Sequence, residues 1–306
     1  MVMKINIAWL YAITKYGYPP SIDKILKVFN DIAGLKFRYI ELEGVGYHNL
    51  DEIYVNKKNI LEHAETFGLK IINFCPILPD IVSLDIGRRN KAIKYFEKGV
   101  YLAKYFGADM VQVDSFTPPL EFLGEIPYSK AILFNIPFKV KIPIDFKWNI
   151  FWRNFIATLN TLAKISYEYG LKLILEPRVG ETVSNTDAML RLIDNIRYDN
   201  FGAVLDTGHL YAAKEILPLS VEKLGDRLMY IHVSDNDGRD NRHLALGRGT
   251  IDWENLFLTL KKNNYDRYVA IDVGGTGFEG NIDKAVVESK NYLIKLLKKL
   301  GITYEI

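Results

Sequence analysis

Residues 169–178 read YGLKLILEPR and contain a predicted helix end, a glycine, a short apolar run and a carboxylate. Gly170 stands where a helix needs a left-handed C-terminal residue, which glycine adopts without strain. The run 171–175 is short and largely apolar, as expected for a strand buried on both faces. The same pattern occurs as AGLKFRYIELEG, FGLKIINFCP and FGADMVQVDS, with glycines at positions 34, 68 and 107. The chain is therefore predicted to be a series of βα units.

Eight strands are predicted along the chain, at 4–10, 37–42, 70–75, 109–114, 171–176, 201–206, 228–234 and 268–273. Helical stretches with apolar residues three and four positions apart lie between them and after the last. Eight such units in 306 residues predict an α/β fold of the (β/α)8 TIM-barrel type, as a single domain over 1–306. A doubly wound open sheet is the alternative, but no G-x-G-x-x-G motif follows the first strand to favour it.

One segment departs from this alternation. Residues 116–150 are rich in proline and aromatic residues and contain no convincing helix. The segment follows the fourth strand, on the side where a barrel has its active site. It is predicted to be an irregular insertion, either a lid or subunit contact or a hairpin that caps the barrel mouth.

Composition limits the classes of partner. A net charge of +2 is too balanced for a nucleic-acid-binding surface, and no apolar run approaches the length of about 20 residues that spans a membrane. The single cysteine, Cys75, allows no intrachain disulfide and is typical of a reducing cytoplasm. We therefore expect a cytoplasmic protein with a small-molecule partner, and no nucleic acid or membrane.

Ionisable residues stand at the ends of six predicted strands: Glu41, Asp114, Glu176, Asp206, His232 and Asp272. Each could simply pair with a nearby Arg or Lys. The last four, however, end successive strands, and the C-terminal ends of barrel strands meet at the active site. Three carboxylates and one imidazole suit one divalent ion such as Mn²⁺, Mg²⁺, Co²⁺ or Zn²⁺.

Three strings, LILEPRVGET, VLDTGHLYAA and IHVSDNDGRDNRHLALGRGTIDW, resemble the xylose isomerase-like TIM-barrel superfamily of sugar isomerases and epimerases, which includes endonuclease IV. The resemblance extends over about residues 165–275. It implies metal ligands at Glu176, Asp206 and His232, with Asp272 where the family normally has glutamate. Because aspartate is one methylene shorter, either the metal lies nearer to it or water bridges the gap.

The resemblance also implies roles in catalysis. Glu176 and Asp272 would form the acid/base pair, and His209, Arg242 and His243 match positions that contact substrate in the family. His209 could instead be a structural histidine behind the site. The implied activity is that of a divalent-metal-dependent sugar isomerase or ketose epimerase acting through an enediolate. The alternatives are a metal-dependent polyol-ketone dehydratase and a non-catalytic barrel that binds a sugar or a partner.

Two further features are expected to lie outside this chemistry. Endonuclease IV uses three zinc ions held by additional histidines, whereas His48 and His63 are predicted to be exposed or to lie on a helix surface. The glycine-rich stretch 274–283 precedes a helix and could bind phosphate, but it contains no Arg or Lys and could equally be a flexible turn. The sequence leaves the sugar, the metal and any homo-oligomer undetermined.

Overall fold

The structure, a computed structural model, describes residues 2–124, 138–275 and 278–306. Its centre is a closed barrel of eight parallel strands. They are β1 (Val2–Ile7), β2 (Tyr39–Val45), β3 (Lys70–Ile77), β4 (Met110–Asp114), β5 (Lys172–Glu176), β6 (Phe201–Asp206), β7 (Leu228–Val233) and β8 (Tyr268–Ile271). Each strand pairs with the next, and β8 pairs in parallel with β1. The predicted (β/α)8 TIM barrel is therefore confirmed.

Helices cover the outside of the barrel. They are α1 (Leu10–Tyr16), α2 (Ile22–Gly34), α3 (Gly46–Thr66), α4 (Ile86–Tyr105), α5 (Trp148–Glu168), α6 (Thr186–Ile193), α7 (Thr207–Ala212), α8 (Leu217–Leu224), α9 (Trp253–Lys262) and α10 (Ile282–Lys299). Helix α2 is typical: it buries Ile25, Phe29 and Ile32, which lie three and four residues apart on one face. Among the described residues, no helix combines the length and apolarity needed to cross a membrane.

A left-handed glycine is predicted at four helix-to-strand joints, and the prediction is right at three of them. Gly68, Gly107 and Gly170 have φ angles of 66°, 71° and 69°, in the left-handed region that glycine favours. The prediction is wrong at Gly34, which is the last residue of α2. Lys36 adopts the left-handed conformation there, with φ of 63°, so this helix ends two residues later than the pattern indicated.

The interior of the barrel changes from apolar to polar along the strands. Residues two apart face the same side of a strand, and Ile174 and Val204, packed in an apolar cluster, are followed two positions later by Glu176 and Asp206. The strand register sets Asp206 beside His232. Charged side chains are thus collected at one end of the barrel, above an apolar floor.

Strand boundaries differ from prediction mainly in β1 and β2. β1 ends at Ile7 rather than 10, and the backbone N–H of Trp9 donates to Glu41 Oε2 at 3.0 Å. β2 continues to Val45 because its pairing with β3 continues to Ile77. A second glutamate, Glu43, therefore lies within β2, two residues beyond Glu41.

The described parts of the predicted insertion contain two short strands, Glu121–Phe122 and Val140–Lys141, that pair antiparallel. Its last three residues are helical, since α5 begins at Trp148. Residues 125–137 of the insertion, and residues 276–277 of the glycine-rich stretch, lie outside the described residues.

Candidate active site

A pocket opens at the C-terminal end of the barrel, where the predicted site residues lie. Its lining residues are Leu10, Ile13, Glu41, Glu43, Cys75, Gln112, Glu176, Arg178, His209, His232, His243 and Asp272. Asp206 is fully buried beside them. The fold therefore brings together all the predicted site residues except Arg242.

Two groups of buried side chains have potential ligand atoms within 4.8 Å of one another, Glu176–Asp206–His209 and Asp206–His232–Asp272. Asp206 belongs to both. Its Oδ1 accepts a hydrogen bond of 2.8 Å from the N–H of His209, which caps α7. Its Oδ2 is buried and has no hydrogen-bond partner among the described residues. A buried carboxylate oxygen that accepts no hydrogen bond from the described residues and lies among other carboxylates fits a divalent cation.

The electrostatics of Asp206 agree with that fit. Burial and the neighbouring charge of Glu176 raise the pKa of Asp206 well above its usual range. Negative charge is therefore in excess at the centre of the pocket, and a bound cation would offset it.

His232 is oriented by carboxylates on both ring nitrogens. Its Nε2 lies 3.0 Å from Glu41 Oε1, and its Nδ1 lies 3.4 Å from Glu176 Oε1 and 3.8 Å from Asp206 Oδ2. Burial lowers the pKa of His232, but the charges of Glu41 and Glu176 outweigh it and raise the pKa well above its usual value. The Nε2 proton points at Glu41, and a metal ion would replace the proton on Nδ1, as metal-ligating histidines are commonly arranged.

One carboxylate oxygen of Glu176 accepts hydrogen bonds from neighbouring side chains, and the other faces the pocket. Oε2 accepts from Gln112 Nε2 at 2.9 Å and from Arg178 Nε and Nη2 at 3.1 and 2.8 Å. Oε1 is the atom that faces His232. Burial raises the pKa of Glu176, but Arg178 and His232 lower it more, so the pKa lies well below its usual range and the group is ionised.

His209 is held as a neutral ring. Burial lowers its pKa well below the usual value, and its Nδ1 accepts from the backbone N–H of Val179 at 3.3 Å. A neutral imidazole that accepts at Nδ1 carries its proton on Nε2. His209 can therefore act as a hydrogen-bond donor.

His243 and Asp272 form a buried pair. His243 Nδ1 lies 3.0 Å from Asp272 Oδ2 and 3.0 Å from the Asp272 backbone oxygen, while its Nε2 lies 2.9 Å from Asn241 Nδ2. Burial lowers the pKa of His243, but the charge of Asp272 raises it to about 8. Asp272 thus has a carboxylate oxygen within 4.8 Å of the ligand atoms of Asp206 and His232, and it also contacts His243. It does so although aspartate is shorter than the family's glutamate.

Arg242 lies away from this pocket. Its side chain is 61% exposed and its closest acidic neighbour in the described chain is Asp240, 3.9 Å away. The contact of Arg242 with substrate stays a prediction. The exposed side chain in this structure does not favour that contact. Sequence reasoning missed Arg178, Gln112 and Glu43, which line the pocket instead.

One acidic residue of the loop that follows β7 stabilises the fold and does not face the pocket. Asp235 is buried and accepts from the backbone N–H of Gly247 at 2.8 Å and from Trp253 Nε1 at 2.9 Å. It also accepts from the N–H of Ile251 at 3.3 Å. These contacts fold the loop back against the start of α9, while His232 and His243 in the same stretch face the pocket.

Asp235→Ala is expected to destabilise the protein by about 3 kcal/mol, because it leaves several buried donors without an acceptor. Denaturant unfolding measures the change. Asp237→Ala removes an exposed carboxylate from the same loop and should change stability by less than about 0.5 kcal/mol. Equal effects in the two variants would refute the structural role of Asp235.

The two histidines expected to lie outside the site do so. His48 is 91% exposed at its side chain and pairs with Glu52 at 3.6 Å. His63 lies on α3, where its Nε2 contacts the backbone oxygen of Leu26 at 3.1 Å. Neither lines the pocket.

Comparison with known proteins identifies the class. A family model described as xylose isomerase-like TIM barrel matches residues 29–296, and the chain belongs to this family. The solved structure of an L-ribulose 3-epimerase has a TM-score of 0.75 and 15% identity, covering 98% of this chain and 96% of that one. A D-tagatose 3-epimerase-like protein has a TM-score of 0.72 and 21% identity, covering 98% of both chains. At 15% and 21% identity, the similarity to these two structures shows a shared fold and no more.

Sequence relatives include both epimerases and dehydratases. Inosose dehydratase of Bacillus velezensis is 24% identical over 261 residues, covering 74% of this chain and 86% of that protein. Fructoselysine 3-epimerase of Escherichia coli is 24% identical over 128 residues, 41% of this chain and 46% of its own length. An uncharacterized protein of Methanocaldococcus jannaschii is 30% identical over 135 residues, 40% and 46% of the two chains. The chain thus spans about half the length of the last two relatives. Both of these relatives with named activities are enzymes.

Proposed function

We propose that the protein is a divalent-metal-dependent sugar isomerase or ketose epimerase that acts through an enediolate. One observation carries the proposal: the buried carboxylates of Glu176 on β5 and Asp272, just beyond β8, flank Asp206 and His232 on the two strands between them. The arrangement supports a small substrate held between two acid/base groups at the ends of an arc of four strands.

The residues that would hold the metal are Glu176, Asp206, His232 and Asp272. The chemistry of this set supports a cation bound by oxygen and imidazole. So does Asp206 Oδ2, which has no hydrogen-bond partner in the described part of the chain. Such an ion would act as a Lewis acid toward a carbonyl oxygen and make the neighbouring C–H more acidic.

The chain's own groups supply the proton transfers. Glu176 is ionised and offers Oε1, so it can accept the proton from the carbon next to the carbonyl. Asp272, on the other side of the arc, would pass a proton from His243, whose Nδ1 lies 3.0 Å from Asp272 Oδ2, to the opposite face for epimerisation. His209 would donate from Nε2 to a substrate hydroxyl, and the buried His243 would hold Asp272 in place.

We expect purified protein to bind one divalent ion per chain. Chelator-treated protein titrated with Mn²⁺ should show one site, and at a concentration 100 times Kd it should gain about 2.7 kcal/mol of stability. Calorimetry and thermal unfolding measure both quantities, and elemental analysis identifies the ion present after purification without chelator. Protein that stays metal-free in millimolar Mn²⁺ would contradict the proposed metal site.

A second candidate is loss of water from a cyclic polyol ketone. The likeness to inosose dehydratase over 74% of this chain favours it. The same enolate would then expel a β-hydroxyl, with His209 or His243 as the acid. Incubation of the Mn²⁺-loaded protein with a panel of ketoses and with a cyclic polyol ketone distinguishes the candidates, because an isomeric sugar identifies the first and a dehydrated product the second.

We also propose that residues 1–306 form a single domain and that the protein is cytoplasmic. The lone Cys75, buried in the pocket wall, supports a reducing location.

A further inference from the structure

A buried arginine joins two strands beside the proposed metal site. Arg178 is 8% exposed and follows β5 by two residues. Its Nη1 lies 3.0 Å from Asp114 Oδ2 at the end of β4, and its Nη2 lies 2.8 Å from Glu176 Oε2 at the end of β5. The guanidinium therefore bridges two neighbouring carboxylates.

The bridge determines which oxygen of Glu176 is available. Oε2 receives two donors from Arg178 and a third from Gln112, so its acceptor capacity is used. Oε1 faces His232 at 3.4 Å. Glu176 thus presents a single oxygen to the proposed metal and substrate.

The pairing also has an electrostatic basis. Asp114 and Glu176 are partners in the register of β4 and β5, and both are buried. Adjacent buried carboxylates repel and raise each other's pKa unless a cation lies between them. Among the described residues that line the pocket, Arg178 is the one Lys or Arg. Its planar fork can bind two carboxylates at once, which the single ammonium group of lysine does less well.

We infer that Arg178 is a positioning residue, anchored by Asp114, that restricts Glu176 to one-oxygen contact with the metal and substrate. The inference rests on the proposed function and assigns a role to a residue that touches neither the metal position nor the reacting carbon. Loss of Arg178 would free Oε2 and leave Asp114 without its cation. The site would then attract a metal more strongly but hold Glu176 less accurately for proton transfer.

The first test is Mn²⁺ binding by chelator-treated protein, measured by calorimetry after circular dichroism has shown that each variant is folded. Arg178→Gln should tighten Kd by about tenfold, because a positive charge near a divalent ion has been removed. Arg178→Lys keeps the charge and should stay within about threefold of wild type. Arg153→Gln, which changes an exposed arginine on α5, is the matched control and should have no effect.

The second test is turnover of the substrate that the ketose panel identifies. Both Arg178 variants should lower kcat by about 100-fold, as expected for a displaced catalytic group, with a smaller change in KM. A role limited to folding would weaken Mn²⁺ binding and turnover together. The inference is overturned if Arg178→Gln binds Mn²⁺ no more tightly than wild type, or if either folded variant keeps wild-type kcat.

Two further measurements test the inference if an Arg178 variant does not fold or if the proposed function is wrong. Asp114→Asn keeps Arg178 but removes its anchor, and it should weaken Mn²⁺ binding and lower kcat; wild-type values for both would overturn the inference. A crystal structure of metal-free Arg178→Gln needs no activity, and it should show the Glu176 carboxylate rotated from its native orientation. An unmoved carboxylate would overturn the role of Arg178, whereas an inactive wild-type enzyme would overturn the proposed function alone.

Discussion

Glu176→Gln is expected to lower turnover by about 10³-fold or more, because an amide cannot accept the proton that general-base catalysis requires. The substituted side chain has the same size, and its oxygen can still accept from Gln112 and Arg178, which bind Glu176 Oε2. Folding should therefore survive, and Asp206, His232 and Asp272 should retain part of the metal binding. Steady-state kinetics, with Mn²⁺ titration of the same preparation, measure the two effects separately.

A matched control is Glu168→Gln, which changes an exposed glutamate at the end of α5 and should leave kcat and Mn²⁺ affinity unchanged. Wild-type turnover in folded Glu176→Gln would remove Glu176 from the proton transfer. The acid/base role would then have to be assigned to another carboxylate that lines the pocket.

Asp272→Asn is expected to lower kcat by about 100-fold, because it removes both a proton carrier and the charge that faces His243 Nδ1 at 3.0 Å. Asp272→Glu restores the family's longer carboxylate. From sequence alone it could have improved activity or crowded the metal. The structure favours crowding: Asp272 already contacts His243 and already lies within the group around Asp206. An added methylene should therefore cost about tenfold in kcat.

Kinetics of both variants, after metal content has been matched, test this expectation. Asp272→Glu with a kcat above wild type would mean that the shorter residue is a compromise, and that His243 can move to make room. Wild-type kcat in Asp272→Asn would remove Asp272 from the acid/base pair.

Much of the fold could be predicted because its signals are local. Each of the four helix-to-strand joints that share the pattern contains a glycine and an apolar run within about ten residues, and three of the four glycines have the predicted conformation. The convergence of Glu176, Asp206, His232 and Asp272 follows from barrel closure, which brings the ends of parallel strands together. For a barrel of eight strands, the position of these residues can be predicted without knowledge of side-chain packing.

The remaining features depend on register and packing, which have no such signal. Glu43 lies in β2 because the pairing with β3 shifts between Ile40 and Glu41 and then continues to Val45. Arg178 lies beyond its strand, and its orientation depends on two carboxylates, Glu176 on its own strand and Asp114 across the β4–β5 pair. In the loop after β7, Arg242 and His243 are adjacent in sequence, yet one is exposed and the other buried. No periodic pattern in that loop could have distinguished them.

Solvent deuterium incorporation tests the central claim most directly. The Mn²⁺-loaded wild-type protein would be incubated in D₂O with the ketose that it converts, and product would be analysed by mass spectrometry and NMR. Proton transfer through Glu176 and Asp272 predicts deuterium at the carbon next to the carbonyl, because carboxyl protons exchange with solvent. Product that forms without any deuterium at that carbon would contradict the account and indicate a hydride shift instead.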